Sequence, residues 1–379
     1  MKTCPNCQTS VPDEAKFCPS CRFNFKEHEN KQNNKFCMNC GAEIQAGATF
    51  CMECGESVLA NNESGFDLDC LDKFSQIAQT QLYESQGFKV ENGILQKYIG
   101  NEANVVIPEG ITAIGAFAFA YSKIVKTVEI PSSVTKIYHD AFFSNKSLTS
   151  IKIPSSVKEI DESAFSCCSE LENVEIEEGI TEIKKETFHC SKLKKIKIPR
   201  GVTKIGNKAF EYCTSLESVE IPSSVTIIEP EAFYGSALTK IKIPEGVKEI
   251  GAMTFSGCGK LSNVELPNSI NRIGSYAFSR CIGLKSIAIP SKTVDINECA
   301  FSGCTGLTSV SIQNGVTYIR NKAFSECTGL TYVEIPKSVS YVGEGIFWDC
   351  SNGLKIKAPK ELNKHENRFS FYPAEVTWY

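Results

Sequence analysis

The chain has 379 residues, of which 42% are hydrophobic and 22% are charged. This balance is ordinary for a soluble globular protein and argues against a largely disordered chain. The 40 basic residues are slightly outnumbered by 44 acidic ones, which gives a formal net charge of −4. Because nucleic-acid binding depends on a basic surface, we expect no DNA or RNA partner.

The start of the chain, MKTCPNCQTSVPDEAKFC, lacks the basic start and apolar run of a secretory signal. The sequence also contains no apolar run of about eighteen residues, the minimum for a membrane-spanning helix. We therefore expect a cytoplasmic protein without a membrane span. In that reducing compartment the 19 cysteines are expected to be metal ligands or small buried residues rather than disulfides.

Two four-cysteine motifs with the same spacing stand at the N-terminus. In each motif two Cys-x2-Cys pairs are separated by ten residues. Two such pairs can complete a tetrahedron of thiolates around zinc, and four thiolates leave no open position for catalysis. The predicted ligands of two structural Zn²⁺ ions are Cys4, Cys7, Cys18, Cys21, Cys37, Cys40, Cys51 and Cys54.

The two predicted zinc ribbons cover residues 1–24 and 35–56. Segments this short have little apolar core, so zinc binding must supply most of their folding free energy. A redox role for the Cys-x2-Cys pairs is the alternative, but it requires a βαβ context that this sequence lacks. On these eight cysteines, residues 1–56 resemble the double zinc-ribbon module found in many prokaryotic proteins.

Residues 57–87 are expected to form a linker and a short helix. The stretch 57–66 is small and polar, as in flexible linkers, and the apolar residues that follow it recur near helical spacing. The apolar face of this amphipathic helix would contain Leu71, Phe74, Ala78 and Leu82. Residues 88–100 then predict a β-hairpin that turns at Asn92-Gly93 and covers the first edge of the next domain.

An internal repeat of 22 or 23 residues fills the remainder of the chain. In one copy, Ile151 and Ile153 alternate as in a β-strand, which Pro154 ends. A unit of this size has no core, so the copies must stack with their strands in parallel. We predict a mainly β fold, a parallel-stacked solenoid of about 11 repeats over residues 88–379 with a cap at each end. The eleven phenylalanines of the repeat are Phe119, Phe142, Phe165, Phe188, Phe210, Phe233, Phe255, Phe278, Phe301, Phe324 and Phe347.

Cysteine recurs three residues after the phenylalanine. The members of this column are Cys168, Cys213, Cys258, Cys281, Cys304, Cys327 and Cys350. We interpret them as a buried cysteine ladder whose thiols bond turn amides. A second metal site is the alternative, and it is disfavoured because no histidine shares the column. We take Cys190 for a ladder member displaced by one residue, and we leave Cys70, Cys167 and Cys299 unassigned.

The outward position between the two strand isoleucines alternates in charge from copy to copy. Its members are Glu129, Lys152, Glu175, Lys197, Glu220, Lys242 and Glu265, followed by neutral Ala288 and Ser311. Opposite charges on neighbouring strands attract, so we interpret the column primarily as a device that fixes strand register. Its use as a ligand-binding stripe is the alternative, and within it the neutral stretch is the expected docking patch.

The I-x-I-P, V-x-x-I and A-F-x-x-C columns, over about residues 88–350, resemble the BspA-type leucine-rich repeats. Members of that family are often bacterial surface proteins implicated in adhesion to proteins of host or neighbouring cells. The resemblance, together with the ribbons, implies a protein–protein interaction scaffold with a second docking module. We expect a monomer with a protein partner. A cell-surface adhesin exported without a recognisable signal is the alternative.

No catalytic role is expected. The sequence contains no phosphate-binding glycine loop, HExxH motif or paired-carboxylate motif. His189 stands beside Cys190, but neighbours in sequence at a solenoid turn usually point apart, so we predict no Cys/His nucleophile there. The identity of the partner and the binding face of the solenoid stay open.

Overall fold

The computed structural model describes residues 2–3, 10–11, 35–36, 43–44, 79–365 and 375–379. The eight predicted zinc ligands and the predicted linker 57–66 lie outside these residues, as do Leu71, Phe74 and Ala78 of the predicted helix face. The chain divides into two compact units, Met1–Gln79 and Thr80–Tyr379. The strands described in the first unit form two antiparallel pairs, β1 (Lys2–Thr3) with β2 (Ser10–Val11) and β3 (Lys35–Phe36) with β4 (Glu43–Ile44).

The second unit begins with a helical segment and a hairpin. Its residues 80–85 are helical, but Leu82 is 55% exposed and Tyr83 is the buried residue. The prediction that Leu82 lies on the buried face is therefore wrong. The predicted hairpin is present, with β5 (Phe88–Glu91) antiparallel to β6 (Ile94–Tyr98). Asn92 and Gly93 both have positive φ, 51° and 74°, as a two-residue type I′ turn requires.

The predicted parallel solenoid is confirmed, and most coils contribute one strand to each of two rows. The first row consists of β7 (Asn104–Val106), β9 (Thr127–Glu129), β11 (Ser150–Ile153), β13 (Asn173–Ile176), β15 (Lys195–Lys197), β17 (Ser218–Glu220), β19 (Lys240–Lys242), β21 (Asn263–Glu265), β23 (Ser286–Ile289), β25 (Ser309–Ile312), β27 (Tyr332–Glu334) and β29 (Lys355–Ala358). The second row consists of β8 (Ala113–Ile114), β10 (Lys136–Ile137), β12 (Glu159–Ile160), β14 (Glu182–Ile183), β16 (Lys204–Ile205), β18 (Ile227–Ile228), β20 (Glu249–Ile250), β22 (Arg272–Ile273), β24 (Asp295–Ile296), β26 (Tyr318–Ile319) and β28 (Tyr341–Val342).

Neighbouring strands of a row pair residues that are one repeat apart in the sequence. Ile151 of β11, for example, lies between Val128 and Val174 of the neighbouring first-row strands. Strand pairing in the first row is interrupted between β13 and β15 and between β17 and β19, where the repeat loses one residue in the preceding turn. We attribute these two interruptions to the shorter turn, which changes how the next strand meets its neighbour. A third interruption, between β21 and β23, has no shortened repeat.

The core is built on a stack of the repeat phenylalanines. All eleven are buried, and their rings stack nearly parallel, with centroid distances from 4.9 Å for Phe119–Phe142 to 5.8 Å for Phe324–Phe347. The hairpin extends the stack, because Tyr98 lies 5.5 Å from Phe119. The phenylalanine column of the sequence is thus a continuous aromatic spine.

The turn around each spine phenylalanine contains two residues with positive φ, one two positions before it and one two positions after it. Around Phe165 these are Ser163 (φ 56°) and Cys167 (φ 59°). Residues other than glycine seldom adopt this conformation. Bonds to the next coil hold it here, since Cys167 N–H donates to the carbonyl oxygen of His189 at 2.7 Å. Equivalent turn positions on successive coils therefore repeat the same backbone geometry.

The C-terminal end carries one further strand. A 3₁₀ helix (Lys360–His365) follows β29, and β30 (Glu375–Trp378) pairs parallel with β29. The last residue, Tyr379, donates its hydroxyl to the carbonyl oxygen of Ile335 at 3.0 Å. The final coil is therefore covered by residues that do not belong to the repeat.

Candidate functional site

An open groove of about 1170 Å³ lies on the outward face of strands β7 to β17, and we call it the strand-face groove. Its wall includes the alternating charges of the sequence column. The charged residues of that column in the groove are Glu129, Lys152, Glu175, Lys197 and Glu220. The groove thus lies on the charged part of the column and not on its neutral stretch.

Opposite charges of this column lie in register in three places, namely Lys152 with Glu175, Lys197 with Glu220 and Lys242 with Glu265. Lys152 is in register with Glu175, and its Nζ lies 3.3 Å from the Glu175 carboxylate and 2.9 Å from Glu177. The Glu177 and Glu175 carboxylates raise the pKa of Lys152. Lys152 is 58% exposed and Glu175 is 67% exposed, so solvent screens the pair and it contributes little to stability. These pairs therefore help to fix the register of the strands, and their charges stay accessible to a partner protein.

A second, smaller groove of about 570 Å³ lies nearer the C-terminal end of the same row. Ser311 of the neutral stretch lines it, whereas Ala288 only pairs with Ser311 in the adjacent strand. Tyr332 and Tyr379 also line this groove, and Lys357 Nζ lies 4.7 Å above the Tyr379 ring. Tyrosines beside cations are typical of surfaces that bind proteins.

The cysteine ladder is buried as predicted except for Cys350, which is partly exposed, but the hydrogen bonds of the ladder differ from the prediction. The thiol of Cys168 donates to the carbonyl oxygen of Phe142 at 3.1 Å, and the other ladder cysteines repeat this bond. A turn amide instead donates to Asn145: the Leu148 N–H bonds the side-chain oxygen of Asn145 at 3.0 Å. Burial raises the pKa of Cys168 to about 12, so that thiol stays protonated and unreactive at neutral pH.

The assignment of Cys190 to this ladder is wrong. Ser191 occupies the ladder position, buried and 3.3 Å from Cys213 Sγ. The shortened turn loses its residue after this position, so the ladder does not shift. Cys190 instead occupies the positive-φ position of its coil, equivalent to Cys167 in the preceding coil.

The expectation that His189 and Cys190 point apart is also wrong. His189 Nε2 lies 3.4 Å from Cys190 Sγ, and one potential ligand atom from each of Cys167, His189 and Cys190 lies within 4.8 Å of the other two. The sequence contains a signal for this cluster, because Cys167 and Cys190 are one 23-residue period apart.

The described residues of the two predicted zinc ribbons are those of the four short strands β1 to β4. In sequence, Cys4 and Cys7 fall between β1 and β2, and Cys37 and Cys40 fall between β3 and β4. The cysteines themselves lie outside the described residues. Within the part of the chain that is described, no helix has the length and apolar character needed to cross a membrane.

Solved structures of bacterial leucine-rich repeat proteins are similar to this chain. A leucine rich cell surface protein from Faecalibacterium prausnitzii is 29% identical, with a TM-score of 0.51, over 77% of this chain and 92% of that one. A leucine-rich repeat protein from Bacteroides ovatus is 25% identical, with a TM-score of 0.54, over 77% of this chain and 97% of that one. A search of the curated proteins found no match.

Two family models match the sequence. A zinc-ribbon domain matches residues 36–58, which contain the second predicted ribbon. The BspA type leucine rich repeat region matches residues 96–217, 181–305 and 272–374, and so covers nearly all of the solenoid. The chain therefore belongs to the BspA-type leucine-rich repeat family, and it carries a zinc-ribbon sequence ahead of its repeats.

Proposed function

We propose that this chain is a non-enzymatic, adhesin-like protein whose solenoid binds an extended segment of a partner protein in the strand-face groove. The observation that carries the proposal is the groove itself, which crosses six successive coils and contains exposed charges of both signs. Six strands about 4.8 Å apart span roughly 24 Å, the length of about seven extended residues. Small-molecule sites are usually enclosed clefts or cavities, whereas this groove is open along its length.

A position at the cell surface is supported by the similarity to the F. prausnitzii cell surface protein. The ladder cysteines are compatible with an oxidising environment, because Cys168, Cys213 and Cys304 are buried and have pKa values of about 12. Thiols in that state react slowly with oxidants. The ladder therefore does not require a reducing compartment.

A cytoplasmic interaction scaffold is the second candidate. It is favoured by the eight predicted zinc-ligand cysteines of residues 1–56, since free thiols persist most readily in reducing compartments. Protease treatment of intact cells of the source organism, scored against a cytosolic control, separates the two candidates. Digestion of this chain on intact cells is expected. Protection until the cells are lysed would contradict the surface assignment and support the scaffold.

The groove is tested separately by changing two of its lysines. We expect Lys152→Ala with Lys197→Ala to abolish capture of at least one protein that the unchanged chain retains from cell-surface extracts. Lys123→Ala with Lys146→Ala is the matched control, because these lysines are exposed on the same part of the solenoid but do not line the groove. Identical captured proteins for both double variants would contradict binding in the groove.

For the N-terminal segment we propose two structural zinc ions, each held by four of the eight predicted cysteines, in a second docking module. Support comes from the zinc-ribbon match and from the identical spacing of the two motifs. Removing zinc with a chelator is expected to make residues 1–56 sensitive to protease while Thr80–Tyr379 stays resistant. Unchanged resistance of the N-terminal segment after complete zinc removal would overturn this assignment.

A further inference from the structure

The turns around Phe165 and Phe188 bring together three side chains with metal-ligand chemistry. Cys167 and Cys190 occupy the same positive-φ position on adjacent coils, with φ 59° and 55°. His189 precedes Cys190 and directs its Nε2 to within 3.4 Å of the Cys190 sulfur. All three side chains are partly exposed, so the cluster is open to ions from solvent.

The separations match those of a metal site. Zinc bonds of about 2.0–2.3 Å in a tetrahedron place neighbouring ligand atoms roughly 3.3–3.8 Å apart. The Cys190 Sγ to His189 Nε2 distance of 3.4 Å lies in this range, and the whole set lies within 4.8 Å. Small side-chain rotations therefore suffice to bring three ligands onto one ion.

A carboxylate lies next to this three-residue cluster. Glu211 is the residue equivalent to His189 on the next coil, and its Oε2 lies 3.4 Å from His189 Nε2. Its side chain is only 8% exposed. A buried carboxylate beside the imidazole is a suitable fourth ligand, because zinc accepts oxygen as well as nitrogen and sulfur.

The surroundings of the cluster orient the imidazole and balance its charge. The other ring nitrogen of His189, Nδ1, lies 3.3 Å from the hydroxyl of buried Ser166. Such an outer hydrogen bond fixes the tautomer of a ligating histidine. Lys208 Nζ lies 3.5 Å from Glu211 and 3.1 Å from Glu231. One Zn²⁺ with two thiolates and one carboxylate has a net charge of −1, which the nearby Lys208 ammonium offsets.

We propose that Cys167, His189 and Cys190 form a zinc site on the solenoid, with Glu211 as the fourth ligand. Thiolates and imidazole together favour zinc over the oxygen-binding ions Mg²⁺ and Ca²⁺. On binding, the two thiols release their protons to solvent and each sulfur forms one bond to the ion. The site joins three consecutive coils, at the point where the repeat shortens and strand pairing in the first row is interrupted. It is independent of the N-terminal cysteines and of the strand-face groove.

The test is the zinc content of the full chain after zinc saturation and desalting. Cys190→Ala and His189→Ala are each expected to lower the content by one ion per chain relative to the unchanged chain. Cys299→Ala is the matched control, because it removes a thiol from a turn of the same solenoid that lies outside the cluster, and it is expected to lose none. Since only differences are compared, the amount of zinc bound by residues 1–56 does not affect the result.

Two further measurements keep the test decisive. Glu211→Gln retains the shape of its side chain but weakens a ligand, and is expected to lower zinc affinity at this site by at least the roughly 10–100-fold that losing a hydrogen-bond partner of a ligand costs. In the cobalt-substituted chain, Cys190→Ala should remove the absorption bands of one site with mixed sulfur and nitrogen ligands. Zinc content in Cys190→Ala equal to that of the unchanged chain would overturn the proposal. A Cys167–Cys190 disulfide in the zinc-saturated chain would also overturn it.

Discussion

The thiol of Cys304 donates a hydrogen bond to the backbone carbonyl oxygen of Phe278, 3.1 Å away on the preceding coil. Both residues are fully buried, so water cannot replace either partner of the bond. The same bond recurs along the ladder, where each thiol joins its coil to the one before. The cysteine column thus contributes directly to the stacking of the solenoid.

Replacing Cys304 by alanine should destabilise the solenoid by about 1–3 kcal/mol, because the Phe278 carbonyl would stay buried without a donor and a small cavity would form. Serine at this position retains a donor and should be less damaging. The measurement is the free energy of unfolding in urea. Cys299→Ala removes a cysteine outside the ladder and should cost less than either change. Equal losses for Cys304→Ala and Cys299→Ala would show that the ladder bond contributes nothing.

A gap in the aromatic spine should have the largest effect of any single truncation. Phe210 is fully buried and stacks between Phe188 and Phe233 at 5.5 and 5.3 Å. Phe210→Ala should cost about 3–5 kcal/mol, the range for deleting a buried aromatic ring. Because each coil contacts only its neighbours, hydrogen exchange should accelerate most in the coils beside the change. Phe117→Ala is the control, since Phe117 is 42% exposed, and a similar loss there would contradict this interpretation.

Two coils lack the proline that ends the first-row strand, and they should respond differently to its introduction. At Glu177 the backbone N–H donates to Ile153 at 3.0 Å and the carboxylate lies 2.9 Å from Lys152 Nζ. Glu177→Pro loses both interactions, and the lost backbone hydrogen bond should destabilise the fold by about 1 kcal/mol, whereas the exposed ion pair adds little. Gln313 donates to Ile289 over a longer 3.4 Å, and proline there should be neutral or stabilising by up to about 1 kcal/mol.

Thermal unfolding midpoints of the two proline variants provide the comparison. Each variant is the control for the other, because both insert proline into the same column of the repeat. A larger loss for Gln313→Pro than for Glu177→Pro would mean that the backbone bond and ion pair of Glu177 do not stabilise its coil.

The repeat period was sufficient to predict the solenoid, because stacked coils require equivalent residues to meet their counterparts one period later. It predicted the pairing of Lys152 with Glu175 and the burial of the phenylalanine column. It did not predict where the first-row ladder is interrupted. Two of the three interruptions depend on how one missing turn residue changes the position of the next strand, a property of the backbone path that side-chain periodicity does not contain.

The sequence prediction does not contain the side-chain cluster around Cys190, because the cluster also depends on the backbone path at the short turn. The prediction has His189 and Cys190 pointing apart, and it places Cys190 in the ladder by its distance from the phenylalanine. The position of Ser191 in the ladder and the positive φ of Cys190 depend on where the short turn loses its residue. Aligning Cys190 with Cys167 by the period of 23 would have found the pair, although not the contact with His189.

A charged cluster on the second row should make stability depend on acid pH. Lys136 and Lys184 both donate to Glu159, with Lys136 Nζ at 2.7 Å, and these bonds lower the pKa of Glu159 from 4.5 to about 2. A carboxylate with a lowered pKa in the folded state stabilises the fold above its unfolded pKa. We therefore expect its contribution to be complete at neutral pH and to decrease as the pH falls from about 4.5 towards 2.

The change that isolates this contribution is Glu159→Gln, which removes the titrating charge and retains the shape of the side chain. The variant should be less stable than the unchanged chain at pH 7, and the difference between the two free energies of unfolding should shrink between pH 4.5 and pH 2. Glu344→Gln, at an exposed carboxylate on another coil, controls for the general effect of removing one negative charge.

Because a cluster of two lysines and two carboxylates spans three coils, Lys184→Ala should raise the Glu159 pKa and reduce the pH-dependent difference. A difference that stays constant down to pH 2, or grows as the pH falls, would show that the two lysines do not hold Glu159 in its ionised form.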